Sequence, residues 1–369
     1  MKRSILILVA ALVCTAAAAQ VRFDWNVSTE TLFDNRENTG GGDLFTPSRT
    51  IFGVRLSPQV GFRVGEHRLL AGVDVMKNFG EKEGIGDLFK EITVDYSFEK
   101  KVSEKCLFSL DAGIFPRTKS IGRYGDVFFS DSLRFKDPNV EGILLRFARP
   151  KSGYELGVDW MGFYSKEDRE RFLIFFSGEY RPMECLDAGI SGYMYHFAGS
   201  KSVWGVVDNI LVNPYVTFDA ACWLPLQKLS LTLDYFQAAQ QDRRQIHKYV
   251  WPQGGQLTFE VRKWNVSIRN RLCFGRDLMP YYNSTDAEGN KYGSSLYLGD
   301  PYYRMRSDLQ AENTPATYDR LEAFWEPRLA PGLYFKVGAV FHFNGGFSGS
   351  NQIIAIRFDM DELRKATDK

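Results

Sequence analysis

Apolar and polar residues alternate along residues 88–98, which read LFKEITVDYSF. The apolar residues share one parity, broken only by Lys90, and the polar residues share the other. A period of two places the two sets on opposite faces of one β-strand. Segments of roughly ten residues with this alternation recur about sixteen times, with no helical segment to cover an apolar sheet face. A sheet that large has to close, so the pattern predicts an all-β protein, a transmembrane antiparallel up-and-down β-barrel of about 16 strands.

Short and long connections alternate strictly between the predicted strands. Bacterial outer-membrane barrels have short periplasmic turns and longer extracellular loops. The pattern therefore predicts a Gram-negative outer-membrane protein, with an even number of strands and both termini in the periplasm. The short connections are 65–66, 100–104, 150–152, 182–184, 224–226, 263 and 328–330, and the long ones are 35–49, 79–87, 116–138, 164–170, 198–210, 239–252, 275–316 and 344–350.

The two ends of the chain differ from the region between them. Residues 1–19 have a basic start, an apolar stretch and a run of alanines before Gln20, which predicts a cleaved secretory signal peptide. We expect residues 20–359 to form the barrel and residues 360–369 to form a solvated periplasmic tail. No later run of 18 apolar residues offers a membrane-spanning helix.

Charge and cysteine content add little to this interpretation. The net charge is +1, with 25% charged residues, so no attraction to nucleic acid is implied, and the expected surrounding is outer-membrane lipid. Four cysteines follow the signal peptide, without metal-site spacing. Cys185 and Cys222 lie near the same end of neighbouring predicted strands, so a bridge between them is conceivable. The simpler interpretation, which we prefer, is lipid-facing or buried thiols.

Basic residues on one parity identify the face that lines the lumen. Arg269 and Arg271 alternate with apolar residues in the predicted strand 264–274. Arginine at the membrane midplane of a lipid-facing surface costs about 2–4 kcal/mol, so this parity has to face inward. Together with Arg262 on the adjacent strand, these residues form the best local cluster for an anionic group. The lumen-facing parity carries both signs of charge, which argues for weak ion selectivity.

The strand number, topology and loop order resemble those of the sixteen-stranded Gram-negative outer-membrane porins. Barrels of 16–18 strands leave an aqueous channel, and no hatch domain precedes the first strand. The resemblance implies passive diffusion of small hydrophilic solutes and assembly as a homotrimer. It also implies that the third long connection, 116–138, folds inward as a constriction. The charged candidates in that loop are Arg117, Lys119, Arg123, Asp126, Asp131, Arg134 and Lys136.

Catalysis is the less favoured expectation. His342, at the predicted extracellular rim, has Ser348 and Ser350 across a short loop. A Ser–His pair is the minimum for an acyl hydrolase, but no third, orienting group is evident. No HExxH, Walker A or GxSxG element occurs, so we expect no enzyme, no cofactor and no metal site.

The connection 275–316 is longer than an ordinary loop and rich in tyrosine. It is expected to pack over the mouth of the barrel, or to bind a solute or a surface partner, and the sequence does not separate these possibilities. A plugged or closed barrel that presents its long loops for binding is therefore the alternative to an open pore.

Overall fold

The computed structural model describes residues 21–39, 47–82, 84–201, 204–244, 248–286, 289–305 and 315–367. The expected signal peptide lies outside these residues. The strands are β1 (Arg22–Asn38), β2 (Arg49–Val64), β3 (His67–Asn78), β4 (Phe89–Ser103), β5 (Cys106–Pro116), β6 (Asn139–Arg149), β7 (Ser152–Gly162), β8 (Arg171–Met183), β9 (Leu186–Phe197), β10 (Val207–Asp219), β11 (Lys228–Asp242), β12 (Gln253–Lys263), β13 (Val266–Gly275), β14 (Ala316–Trp325), β15 (Arg328–Ala330), β16 (Leu333–Phe343) and β17 (Phe347–Asp359).

The strands form one closed antiparallel sheet, as the alternation predicted. Each strand pairs with its neighbours in the chain, and β1 pairs with both β2 and β17. Pro327, which has no N–H to donate, lies between β14 and the three-residue β15, and both of these strands pair with β16. They count as one crossing, so the sheet makes a 16-strand barrel.

The two faces of each strand have the predicted character. In β4, Ile92 is 68% exposed, whereas Thr93 and Asp95 are 1% and 2% exposed. Because the polar set is buried inside the barrel, the exposed apolar set is the surface that meets lipid. No helix in the described part of the chain is long and apolar enough to cross a membrane.

Three short α-helices accompany the barrel within the described residues. Helix α1 (Ile85–Leu88) and helix α2 (Asp131–Lys136) belong to extracellular connections. Helix α3 (Met360–Thr367) follows β17, in the segment expected to be a solvated tail. It lies against the periplasmic end of the barrel, where Arg364 pairs with Asp24 at 3.1 Å and Asp361 pairs with Arg68 at 2.5 Å.

Two long extracellular connections fold into the barrel and meet there. We call residues 117–138, 276–286 and 289–305 together the plug. The backbone N–H of Ser130 donates to the carbonyl of Leu298 at 2.9 Å, and that of Asp300 donates to the carbonyl of Asp126 at 2.7 Å. Apolar and aromatic residues of both segments form a single buried core with the inner wall. They include Val127, Phe128, Phe129, Leu296, Tyr302 and Tyr303 from the plug, and Phe115, Leu173, Tyr195 and Tyr318 from the wall.

The plug corrects the expectation of a bore occupied by water and a single constriction loop. Strand number sets the diameter of a barrel but does not determine what fills it. The residues that fill the barrel come from connections between its strands, not from a separate hatch domain ahead of β1. The connection 275–316 is expected over the mouth or as a binding loop, whereas its described residues 276–286 and 289–305 pack inside the barrel.

The preferred interpretation of the cysteines is also wrong in part. Cys185 and Cys222 form a disulfide at the periplasmic end of the barrel. Cys185 lies between β8 and β9, and Cys222 lies in a 3-10 helix, Ala220–Trp223, between β10 and β11. Two turns that are 37 residues apart in sequence are thereby joined, because adjacent strands bring their ends together. Cys106 and Cys273 are free.

Candidate active site at the extracellular rim

A row of four side chains crosses the outer surface of the barrel near its extracellular end. Strand register places Trp160 opposite Phe172, Phe172 opposite His196, and His196 opposite Asp208. The residues that alternate with them in β8 and β9, including Leu173 and Tyr195, are buried inside the barrel, so this row faces the membrane. The Trp160 and Phe172 rings stack at 5.5 Å, and the Phe172 and His196 rings stack at 4.8 Å.

The carboxylate of Asp208 connects His196 to Arg243. His196 Nδ1 lies 3.2 Å from Asp208 Oδ1. Arg243, just beyond the end of β11, donates to Asp208 Oδ2 from Nε at 3.0 Å and from Nη2 at 2.6 Å. A lone carboxylate facing lipid would be costly, and these two partners account for its presence on this surface. We call Trp160, Phe172, His196, Asp208 and Arg243 the rim site.

The contact with Asp208 favours one tautomer of the neutral His196 ring. In that tautomer Nδ1 carries the proton and donates it to a carboxylate oxygen, which can only accept. The lone pair of a neutral imidazole is then on Nε2, which has no hydrogen-bond partner among the described residues. The side chain of His196 is 23% exposed at this surface. A histidine oriented in this way by a carboxylate is the arrangement of a general base.

The Ser–His pair expected at residue 342 does not form. His342 is 1% exposed, and its ring stacks on Tyr302 of the plug at 4.1 Å. Its Nδ1 lies 2.7 Å from the Tyr318 hydroxyl, and its Nε2 lies 3.2 Å from Asn351 Oδ1. Both ring nitrogens are therefore occupied, and His342 has a structural role between the wall and the plug.

Ser348 and Ser350 have other partners. Ser348 Oγ donates to the carbonyl of Gly346 at 3.1 Å, and Ser350 Oγ accepts from Gln352 at 3.1 Å. The alternation of β17 places these serines and the inward-facing Asn351 on opposite faces of the strand. Proximity in sequence was therefore a poor guide to which serine could reach which histidine.

Sequence-based reasoning missed the rim site because its residues lie on separate strands. His196 and Asp208 are separated by a loop whose length does not reveal the strand register. One signal was available for His196, which occurs on the lipid-facing parity of its predicted strand, where a polar residue needs an explanation. Asp208 gave no such signal, because it lies in the predicted connection 198–210.

The basic residues at the start of the expected constriction segment fold into the barrel and pair with carboxylates of the inner wall. Neutralising pairs of this kind fix the loop to the wall. The pairs are Arg117 with Asp159 at 2.8 Å, Lys119 with Asp95 at 2.6 Å and with Asp111 at 2.7 Å, and Arg123 with Asp234 at 2.5 Å.

Asp126 is the centre of the remaining charges in this segment. Its carboxylate pairs with Arg134 at 3.2 Å, with Arg320 at 2.9 Å and, more closely, with Arg271. Burial acts to raise the pKa of Asp126, but the guanidinium groups of Arg271, Arg320 and Arg134 hold it well below its ordinary value. Asp131 pairs with Arg134 at 3.3 Å, whereas the side chain of Lys136 is exposed.

Arg262, Arg269 and Arg271, predicted to cluster on the inner wall, do lie on adjacent strands. Each of them forms an ion pair with a carboxylate of the protein. Ion pairs with carboxylates take the place of the anionic ligand expected at this cluster. Arg262 pairs with Glu326 at 2.7 Å, Arg269 with Glu260 and Glu322 at 3.1 Å each, and Arg271 with Asp126 and with Glu322 at 3.3 Å. Among the residues described, no group of three or more His, Cys, Asp or Glu side chains could hold a metal ion.

A closed barrel with an oriented histidine on its lipid-facing surface defines an integral outer-membrane protein that can carry out acid–base chemistry at the membrane surface. The chain belongs to a family described as Lipid A 3'-O-deacylase-type, whose model matches residues 15–339. The chain resembles OmpT of Vibrio cholerae at 9% identity and a TM-score of 0.51, over 92% of this chain and 98% of that one. OpdO of Pseudomonas aeruginosa is similar at 12% identity and a TM-score of 0.50, over 91% and 96% of the two chains.

At such identities these solved structures show the fold alone, a porin-like barrel in the outer membrane. No curated protein matches the chain. Family membership overturns two expectations: a passive diffusion porin for small hydrophilic solutes is wrong, and so is the absence of enzymatic activity, because the family is one of hydrolases that act on lipid A. Barrel architecture alone does not distinguish a pore from an enzyme, because both classes of protein share it.

Proposed function

We propose that this protein hydrolyses an acyl ester of a lipid in the outer leaflet of the outer membrane, with lipid A as the substrate class. The observation that carries the proposal is the His196–Asp208 pair, which faces the membrane at the extracellular rim with the His196 side chain 23% exposed. Family membership supports the reaction type and the substrate class. A lipid ester in the outer leaflet can approach this surface laterally, without entering the barrel.

The rim site supports hydrolysis by an activated water molecule. In the first step Nε2 of His196 takes a proton from water as the water oxygen attacks the ester carbonyl carbon. Asp208 stabilises the resulting imidazolium through Nδ1–H. In the second step the Nε2 proton is given to the leaving alkoxide oxygen as the carbon–oxygen bond breaks. The products are a fatty acid and the deacylated lipid.

Aromatic residues near the rim site suit a substrate at the membrane surface. Trp160 is exposed next to the stacked Phe172, and Trp204 and Trp251 are exposed on the two flanking extracellular connections. Aromatic side chains are favoured where acyl chains meet headgroups, because one part of the ring is apolar and another is polar. These aromatic residues support the proposal that the rim site meets lipid near its acyl ester groups.

The experiment that tests the proposal is release of fatty acid from lipid A by the full chain, reconstituted in phospholipid vesicles. His196→Ala is expected to lower the rate by about 10²–10⁴-fold, the usual contribution of a general base. The matched control is His67→Ala, an exposed histidine at the periplasmic end of β3, which should leave the rate unchanged. Equal rates for His196→Ala and the unaltered protein would remove His196 from the reaction.

A further inference from the structure

Arg169, in the extracellular connection between β7 and β8, is held against two aromatic rings. Its guanidinium carbon lies 5.1 Å from the ring centroid of Phe197 and 5.1 Å from that of Tyr292, and these two rings stack at 6.1 Å. Its Nη1 donates to the carbonyl of Ala198 at 3.4 Å. Cation–π contacts fix the position of a guanidinium without neutralising its charge.

Arg244, in the connection after β11, brings a second guanidinium to the same part of the rim. Its side chain crosses Gly205 so closely that a Cβ there would lie 1.9 Å from Arg244 Cδ. Burial, and next the charge of Arg244, lower the pKa of Arg169, so the two like charges act on one another. In the described part of the chain, neither guanidinium forms an ion pair with a carboxylate.

The two carboxylates that act on Arg169 from nearby are engaged elsewhere. Asp242 is fully buried and accepts from the Tyr292 hydroxyl and, at 3.0 Å, from the backbone N–H of Arg244. Asp286 accepts from the backbone N–H of Asn290 at 2.8 Å. Arg169 and Arg244 repel one another, and neither has a direct counter-ion among the described residues. A bound dianion would offset the free-energy cost of this repulsion.

We propose that Arg169 and Arg244 form a binding site for a phosphomonoester at the extracellular rim, on connections that adjoin β8 and β11, the strands on either side of those that carry His196 and Asp208. A guanidinium can donate two parallel hydrogen bonds to phosphate oxygens, and two guanidiniums match the double charge of a phosphomonoester. The ligand chemistry is shared by a phosphorylated lipid headgroup and by free phosphate. Only the first of these sources rests on the proposed function, since a headgroup held here would place its acyl esters beside the rim site.

The test uses the full chain in phosphatidylcholine nanodiscs and two radiolabelled probes. One is inorganic phosphate in solution, and the other is dodecyl phosphate mixed into the bilayer. Dodecyl phosphate has no acyl ester, so its binding is independent of ester hydrolysis. The test variant is the double substitution R169Q and R244Q. The matched control is R149Q with K151Q, which removes two exposed cations at a periplasmic turn.

We expect the R169Q/R244Q protein to bind dodecyl phosphate about tenfold or more weakly, since a hydrogen bond to a charged group contributes roughly 1.5–3 kcal/mol. The control should bind as the unaltered protein does. Binding of dodecyl phosphate alone identifies a lipid headgroup as the source, and equal binding of both probes identifies free phosphate.

The proposal is overturned if the unaltered protein binds neither probe, if the double variant binds both as well as the unaltered protein, or if the control loses as much affinity. The phosphate-binding test does not depend on whether the protein hydrolyses an ester. Fatty acid release that does not depend on His196 would remove the proposed hydrolysis and leave the phosphate result as measured.

Discussion

Gly299 lies directly against the backbone of Val127, so that a Cβ at position 299 would be 2.1 Å from the Val127 carbonyl oxygen. The two halves of the plug meet at this point, and the neighbouring backbone hydrogen bonds at Ser130 and Asp300 hold them there. Only glycine allows this approach, so the docking of the two connections depends on a residue without a side chain.

Gly299→Ala is therefore expected to separate the two halves of the plug and to lower the stability of the protein by about 1–3 kcal/mol, the usual cost of overpacking. Thermal unfolding in detergent measures this as a lower Tm. Gly125→Ala is the matched control, because a Cβ at that position of the same plug meets no atom within 4 Å. An equal Tm for the two variants would show that the contact at Gly299 is not needed.

Asp208→Asn should reduce kcat for ester hydrolysis by roughly 10²–10⁴-fold, because an amide no longer fixes the tautomer of His196. Arg243→Gln should reduce kcat by a smaller factor, since Asp208 would still accept a hydrogen bond from His196 Nδ1. Both variants are compared by measuring kcat and KM with lipid A in vesicles. If Arg243→Gln lowers kcat as much as Asp208→Asn, then Arg243 acts directly on the reacting ester.

The plug should contain an acid-sensitive charge group. The folded-state pKa of Asp126 is lowered from an ordinary value of 3.8, so its stabilising effect is fully present above that pH. The effect is lost as pH falls further, through the lowered pKa of the folded state. Breaking a buried ion pair costs about 3–5 kcal/mol, so Asp126→Asn should lower Tm strongly at pH 7. The difference from the unaltered protein should narrow in the acid range.

Asp300 provides the contrast for that measurement. Burial raises the pKa of Asp300 above the ordinary value of 3.8. Its contribution to the stability of the folded protein therefore falls as pH rises from the unfolded-state pKa to the folded-state pKa. The Tm difference between Asp300→Asn and the unaltered protein should therefore change with pH in the opposite direction. The same pH trend in both variants would contradict the assignment of charges in the plug.

The Cys185–Cys222 bridge is expected to stabilise the periplasmic end of the barrel. A cross-link between residues 37 apart restricts the unfolded chain by about 3–4 kcal/mol in the loop-entropy treatment. Replacing both cysteines by serine should lower Tm, and adding a reductant to the unaltered protein should have a similar effect. Replacing the free Cys106 by serine is the control, because it removes a thiol without opening a bridge.

The sequence predicted the barrel well because its physical determinants are local. Alternation in a single strand, such as that of Thr93 and Asp95 with Ile92, identifies the two faces, and loop lengths identify the two ends. Residues 117–138 follow an inward path as part of the plug, not as the constriction of an open pore. The expected homotrimer stays a prediction.

The contents of the barrel could not be predicted in the same way. Tyr302 and Tyr303 occur in a long connection, and the same residues could have packed outside the mouth as readily as within it. The rim site has a similar difficulty, because His196 and Asp208 meet only when the register of β9 and β10 is known. A shift of one residue would place them on opposite faces of the wall.

Helix α3 has a consequence for how the barrel is closed. The seam between β1 and β17 joins the two strands that are furthest apart in sequence, so it has the largest entropic cost of closure. Arg364 pairs with Asp24 of β1 and Asp361 pairs with Arg68 of β3, so both ion pairs reach across this seam from the periplasmic side. Helix α3 thus adds an electrostatic connection between the two strands that close the barrel.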